Sequence, residues 1–251
     1  MPVENELFAS ERRQNIASIG ADDDLKSSSR TWQVAAAKHN YIYNFSWLGR
    51  PIIQLPQDVF AMQELIWSIQ PDLIIETGIA HGGSLIFSAS MLELNAACGG
   101  PADGEVLGID IDIRAHNREA IEAHPMFKRI SMIQGSSVAP EIIEQVKTKA
   151  AGKQRVLVCL DSNHTHDHVL AELKAYAPLT SVGSYCVVFD TAIEEVPAAM
   201  SADRPWGPGN NPKTAVREFL KTTDRFEIDH EIPNKLLITV APDGYLRCIK
   251  D

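Results

Sequence analysis

The chain has 251 residues, 45% of them hydrophobic and 22% charged, the balance of one globular α/β domain with a large core. Its 33 acidic against 23 basic residues leave a formal net charge of -10, which excludes a broad phosphate-binding surface and hence nucleic acid as a partner. No apolar run reaches membrane-spanning length, residues 1–6 show no export signal, and Cys98, Cys159, Cys186 and Cys248 form no C-x-x-C pair; the expected setting is cytoplasmic, with reduced thiols and no membrane partner.

Residues 1 to about 30 are polar, with Asp22-Asp23-Asp24 and Ser27-Ser28-Ser29 close together, and read as an arm, a lid or a partly ordered tail. Aromatics follow at Trp32, Tyr41, Tyr43, Phe45 and Trp47, either to cover a ligand or to pack against the domain or a second copy. Residues 1–56 are thus expected as an N-terminal arm or lid on a domain spanning 57–251. Val59, Met62, Leu65, Ile66 and Ile69 keep helical spacing over 57–70, with Asp58 in the first turn and Pro71 as the stop.

Leu73-Ile74-Ile75-Glu76-Thr77-Gly78-Ile79-Ala80-His81-Gly82-Gly83-Ser84 then reads as strand, tight turn and helix start. Glycine lets backbone approach a ligand, and the helix offers free N–H groups, so the stretch outlines a nucleotide cradle. Its glycine spacing is not G-x-G-x-x-G, so the turn alone does not name the ligand.

Further strands are expected at 106–110, 130–133, 156–160 and 185–189, with helices at 114–123, 140–150, 166–176 and from Pro212 to about Leu220. The segment 191–211 is a long loop of the kind that carries function. Apolar runs at 226–228, 235–240 and 245–249, the last two separated by Pro242-Asp243-Gly244, point to a closing antiparallel hairpin. Alternating βα units closed in this way make a doubly wound α/β sheet with an antiparallel edge.

In such sheets ligands bind beyond the carboxyl ends of the strands, where Glu76, Asp110, Asp161 and Asp190 are expected to face one crevice. Asp110 suits a ribose diol, with Asp112 as competitor and helix capping as the other reading. Asp161 and Asp190 can together hold a hard divalent cation, or simply end their strands. His164, His166 and His168 lack the spacing of a zinc site, and His164 is placed for general-base work or for the surroundings of a metal.

With these residues assembled, the chain from about Thr31 onward resembles the cephalosporin hydroxylase family, whose members look like S-adenosylmethionine (SAM) dependent O-methyltransferases of sugars and antibiotics. The resemblance rests on Gln54-Leu55-Pro56-Gln57-Asp58, Glu76-Thr77-Gly78-Ile79, Gly82-Gly83-Ser84, Gly108-Ile109-Asp110, Gln134-Gly135-Ser136-Ser137, Leu160-Asp161-Ser162-Asn163-His164 and Gly207-Pro208-Gly209.

It implies a Rossmann-like methyltransferase sheet, SAM against Glu76, Gly78, His81, Gly82, Ser84, Asp110, Ser136 and Asp161, and Mg2+ on Asp161 and Asp190. It also implies a homo-oligomer. His164 and Asp161 are the expected catalytic residues, acting on a hydroxyl of a small polar acceptor such as a sugar or natural-product scaffold. Family members commonly carry Glu-Asp where this chain has Phe189-Asp190, and an acid where it has Asn163, so a metal ligand is either missing, replaced by Glu194 or Glu195, or supplied by water. A nicotinamide-dependent oxidoreductase or hydroxylase, and a SAM-binding protein without catalysis, are the competing classes.

Overall fold

The computed structural model describes residues 5–251; residues 1–4 of the expected arm lie outside the described residues. The polar segment expected as an arm or tail is two helices, α1 (Glu6–Ala21) and α2 (Asp23–Ala37). Asn5 and Asp22 accept hydrogen bonds from Leu7 and Leu25 backbone N–H groups, and Asp23 and Asp24 occupy the first turn of α2. The aspartate run is therefore a capping signal, opposite the positive end of a helix dipole. The helices were hidden because they present no buried stripe: α1 buries no residue and α2 only Ser29.

A small antiparallel hairpin follows, β1 (Phe45–Trp47) and β2 (Arg50–Ile52), and then α3 (Pro56–Ile69). The central sheet begins with β3 (Leu73–Thr77), followed by α4 (Gly83–Ala97), β4 (Glu105–Asp110), α5 (Ala115–Glu122) and β5 (Ile130–Gln134). The second half runs α6 (Pro140–Ala150), β6 (Val156–Leu160), α7 (His166–Tyr176), β7 (Tyr185–Val188) and α8 (Pro212–Phe219). It ends with β8 (Phe226–Ile228), α9 (Glu231–Leu236) and β9 (Tyr245–Cys248).

Strand order is β5-β4-β3-β6-β7-β9-β8, parallel from β5 to β7 and antiparallel where β9 meets β7 and β8. Side chains alternate between two cores as a strand requires: Ile74, Leu157 and Cys159 pack on one face, Leu73, Ile75, Val156 and Val158 on the other.

The closing antiparallel pair is not the expected one. Residues 235–240 form no strand: α9 runs to Leu236, Leu237 is left-handed at φ 60, and β9 pairs with β8 instead. The buried carboxylate of Asp58 explains this, because it accepts hydrogen bonds from the Thr239 hydroxyl, the Val240 N–H at 2.9 Å and the Tyr245 hydroxyl at 2.8 Å. A buried acceptor with three donors holds that segment against α3 and away from a ladder. Desolvation dominates those contacts and raises the Asp58 pKa to about 6.

Register sets up the crevice. Thr77 lies opposite both Ile109 and Leu160, so Gly78, Asp110 and Asp161 leave the sheet level with one another. Leu160 lies opposite Val188, which puts Phe189 opposite Asp161 and Asp190 one place further on. The chain moves outward from β3 to β5 and returns on the other side at β6, so the switch point falls between Gly78 and Asp161.

Candidate active site

A cavity of about 780 Å3 opens above that switch point. Gly78, Ile79, His81, Ser84 and Asp110 line one side of it, and Asp161, His164 and Asp190 line the other. Residues of α2 and the aromatic segment, including Arg30, Trp32, Tyr41 and Tyr43, border it together with Ile193, Met200 and Trp206 from the long loop. Phe45 and Trp47 instead pack against the core, with the Trp47 ring edge-on to Phe87. The aromatic segment is thus divided between the cavity wall and the core.

Gly78 needs to be glycine on two counts. Its φ is +91, and a Cβ there would lie 2.0 Å from the Asp161 backbone oxygen. Asp110 Oδ2 accepts from the Ile79 N–H at 2.8 Å and the Ala80 N–H at 3.3 Å, while Oδ1 accepts from Asp112 N at 2.9 Å. The carboxylate therefore both braces the turn and borders the cavity; Asp112 is largely exposed, beside Arg114.

Glu76, Gly82 and Ser136 do not line this cavity. Glu76 has the parity of Ile74, which turns its side chain under α4, where the Ser84 hydroxyl donates to it. It borders a second, small cavity with Asp58, Gln54, Phe87 and Phe189. Desolvation there raises its pKa to about 7, against the lowering effect of the Ser84 hydrogen bond. Gly82 is buried against Ile121 as the N-cap residue before α4. Ser136 follows β5, where its carbonyl accepts from Ala139 N.

Asp161, His164 and Asp190 offer one ligand atom each, all within 4.8 Å of one another. His164 Nε2 is 3.4 Å from Asp190 Oδ2, and its ring stands edge-on to Trp206 at 4.8 Å. Asp190 sits in a left-handed conformation, φ 57 and ψ 21, two residues past the end of β7. The other two histidines are drawn elsewhere: His166 Nδ1 pairs with Thr214 Oγ1 at 2.8 Å, and His168 Nε2 lies between the hydroxyls of Ser137 and Ser162, each at 3.1 Å. α7 begins only at His166, so His164 and His168 are not one helical turn apart on a common face.

The donor set fits a divalent cation. Burial pushes the Asp161 carboxyl well above the usual range, and the charges of Asp190, Glu76 and Glu172 push it further. Two close carboxylates with an imidazole are relieved by a bound cation, and the oxygens favour a hard one. Neither Glu194 nor Glu195 replaces a ligand: Glu194 accepts from Gly209 N and the Asn211 amide, and Glu195 pairs with Lys213 and Arg30. Asn163 Oδ1 accepts from Thr165 N and Oγ1, which commits it to the entry of α7. Phe189 is core.

Sequence reasoning missed three contributors: Gln54, α9 with the chain after it, and Lys213, which is 4% exposed between Glu195 at 2.5 Å and Asp243 at 2.8 Å. A lysine at the start of a helix carries no sequence sign of burial; its partners lie far away along the chain.

Residues 39–249 match the family described as Rhamnosyl O-methyltransferase/CmcI. The rhamnosyl O-methyltransferase of Mycobacterium tuberculosis is 31% identical over 226 residues, covering 85% of this chain and 84% of that protein. Among solved structures, CmcI with Mg and SAM is 19% identical with a TM-score of 0.57, covering 83% of this chain and 78% of that one. The O-methyltransferase TomG from Streptomyces achromogenes in complex with SAM is 16% identical with a TM-score of 0.54, covering 91% of each chain. The two structures speak for the fold; the sequence matches carry further, and this chain belongs to the rhamnosyl O-methyltransferase/CmcI family, a SAM-dependent O-methyltransferase.

Proposed function

We propose that this methyltransferase acts on a hydroxyl of a sugar or glycosylated natural product, assisted by a divalent cation such as Mg2+ held by Asp161 and Asp190. The observation that carries the reading is a single cavity joining the Gly78 turn to the Asp161–His164–Asp190 cluster. Gly78 and Asp110 would hold SAM on the turn side of the cavity, Asp110 accepting from the ribose hydroxyls. Fixing a reactant in this way accounts for a large part of the rate gain in group transfer. A cation held at the carboxylates would supply electrostatic stabilisation of the charge that develops on the acceptor oxygen. His164 takes the acceptor proton and Asp190 orients its imidazole, while SAM, when bound, would supply the methyl group and leave as S-adenosylhomocysteine. Trp32, Tyr41 and Trp206 exclude water and offer aromatic faces to a sugar ring.

The convergence of three donor atoms favours a second reading of one residue, His164 as third cation ligand. Mn2+ titration of His164→Ala separates the two, because only the ligand role weakens metal binding. The related protein from Mycobacterium tuberculosis is named for rhamnosyl methylation, so an alkyl rhamnoside is the first acceptor to test. Mass spectrometry should find a methyl ether and S-adenosylhomocysteine; failure across rhamnosides and other glycosides removes the acceptor class.

A further inference from the structure

Gln54 follows the β1–β2 hairpin and reaches the reactive side of the cavity. Its Nε2 donates to Asp161 Oδ2 at 3.1 Å, and the residue is 8% exposed. Its Oε1 is buried and accepts no hydrogen bond from the described residues. An amide has one donor end and one acceptor end, and only the donor end is attracted to a carboxylate, so Asp161 dictates which way this amide points. Among the described residues no other uncharged side chain donates to that carboxylate.

We infer that Gln54 is a positioning residue, which fixes the Asp161 carboxylate toward His164 and Asp190 and thereby sets the cation affinity of the cluster. The inference rests on the proposed cation site. The hairpin is built to hold the amide in place. Trp47 Nε1 donates to Ser90 Oγ at 2.9 Å, and Arg50 donates to the His81 carbonyl through Nε at 3.1 Å and Nη2 at 2.6 Å. Arg50 Nη2 also reaches Asn117 Oδ1 at 3.1 Å, and Asn117 Nδ2 donates back to the Ala80 carbonyl at 3.0 Å. Gly83 allows the close approach: a Cβ on it would lie 2.1 Å from the Pro51 carbonyl oxygen. One short segment, Arg50 to Gln54, therefore grips the cofactor turn at one end and a cluster carboxylate at the other.

The test reads Mn2+ affinity by the electron paramagnetic resonance signal of the free ion, on full-length protein without SAM or acceptor. Gln54→Met keeps the side-chain length and removes the amide; Gln54→Asn keeps the amide but falls one methylene short. Both should bind Mn2+ about 10–100-fold more weakly than wild type, the usual loss when a group orienting a ligand is removed. SAM affinity and the thermal midpoint should keep their wild-type values. Wild-type Mn2+ affinity in both folded variants overturns the inference and leaves the cation site standing. An equal fall in SAM affinity overturns it too, since Gln54 would then merely pack the hairpin. No Mn2+ binding by the wild type overturns the cation site itself and the inference with it.

Discussion

Helices α4 and α1 belong to opposite sides of the same cavity, yet ten of the 15 residues of α4 are buried and none of the 16 in α1. The floor, made of β3, α4 and the strand ends, is fixed by two apolar cores and by backbone that tolerates no Cβ at Gly78. Of the roof helices, α1 lies against α9, and α2 is tied down by polar contacts: Gln33 Nε2 to the Thr239 carbonyl at 2.9 Å, and Arg30 to Glu195 at 3.3 Å. Elements with so little buried area sit at the low end of local stability. Under the proposed function, SAM and the reacting centre would lie on the floor side, and the acceptor would be recognised on the side that changes at little cost to the fold.

Substitutions on the floor should have the larger effects. Asp161→Asn should lower methyl transfer by roughly 10²–10⁴-fold while sparing SAM binding, because several kcal/mol of charge stabilisation leave with the carboxylate. Steady-state kinetics beside calorimetric SAM titration checks both halves; loss of SAM affinity would show that the two functions of the floor are not separable.

The buried acid behind the turn makes a pH-dependent contribution. Glu76 titrates near 7 in the folded chain against an ordinary value of 4.5, so the folded state holds the extra proton between those values. Stability from this group is present below the unfolded pKa and is lost as pH rises toward 7, by up to roughly 3 kcal/mol. Glu76→Gln should flatten that dependence, so that the variant gains on wild type in urea denaturation at about pH 8 relative to about pH 5. A difference that stays constant with pH would contradict the assignment.

Asp110→Ala should weaken SAM binding by about 1.5–3 kcal/mol, the range for hydrogen bonds to a charged group, and release the Ile79 and Ala80 N–H groups it braces. Calorimetry showing wild-type affinity would remove the ribose role. Smallest of all, Arg30→Ala cuts one exposed roof contact and should cost less than about 1 kcal/mol of stability. Its expected kinetic mark is a raised KM for the acceptor with SAM affinity unchanged, and an equal effect on both substrates would erase the distinction between roof and floor.

The same contrast decided what could be read from the amino acids. The parallel strands were legible because each is a short apolar run that ends on a carboxylate or a glycine, as at Leu73–Thr77 and Val156–Leu160. Asp110, Asp161 and Asp190 followed from those strand ends, and His164 from the histidine run just beyond one of them. Glu76 went astray because the crevice depends on side-chain parity as well as on position along the strand. The roof was obscure because α1 and α2 carry caps but no apolar stripe. The 235–240 segment was misassigned because its conformation is imposed by Asp58, about 180 positions earlier in the chain.

The most direct test of the account is methyl transfer from methyl-labelled SAM to an alkyl rhamnoside, followed by mass spectrometry with Mg2+, with a chelator, and with Mg2+ restored in excess. The account expects a labelled methyl ether that vanishes on chelation and returns with the metal; methylation indifferent to the chelator would contradict the role given to Asp161 and Asp190.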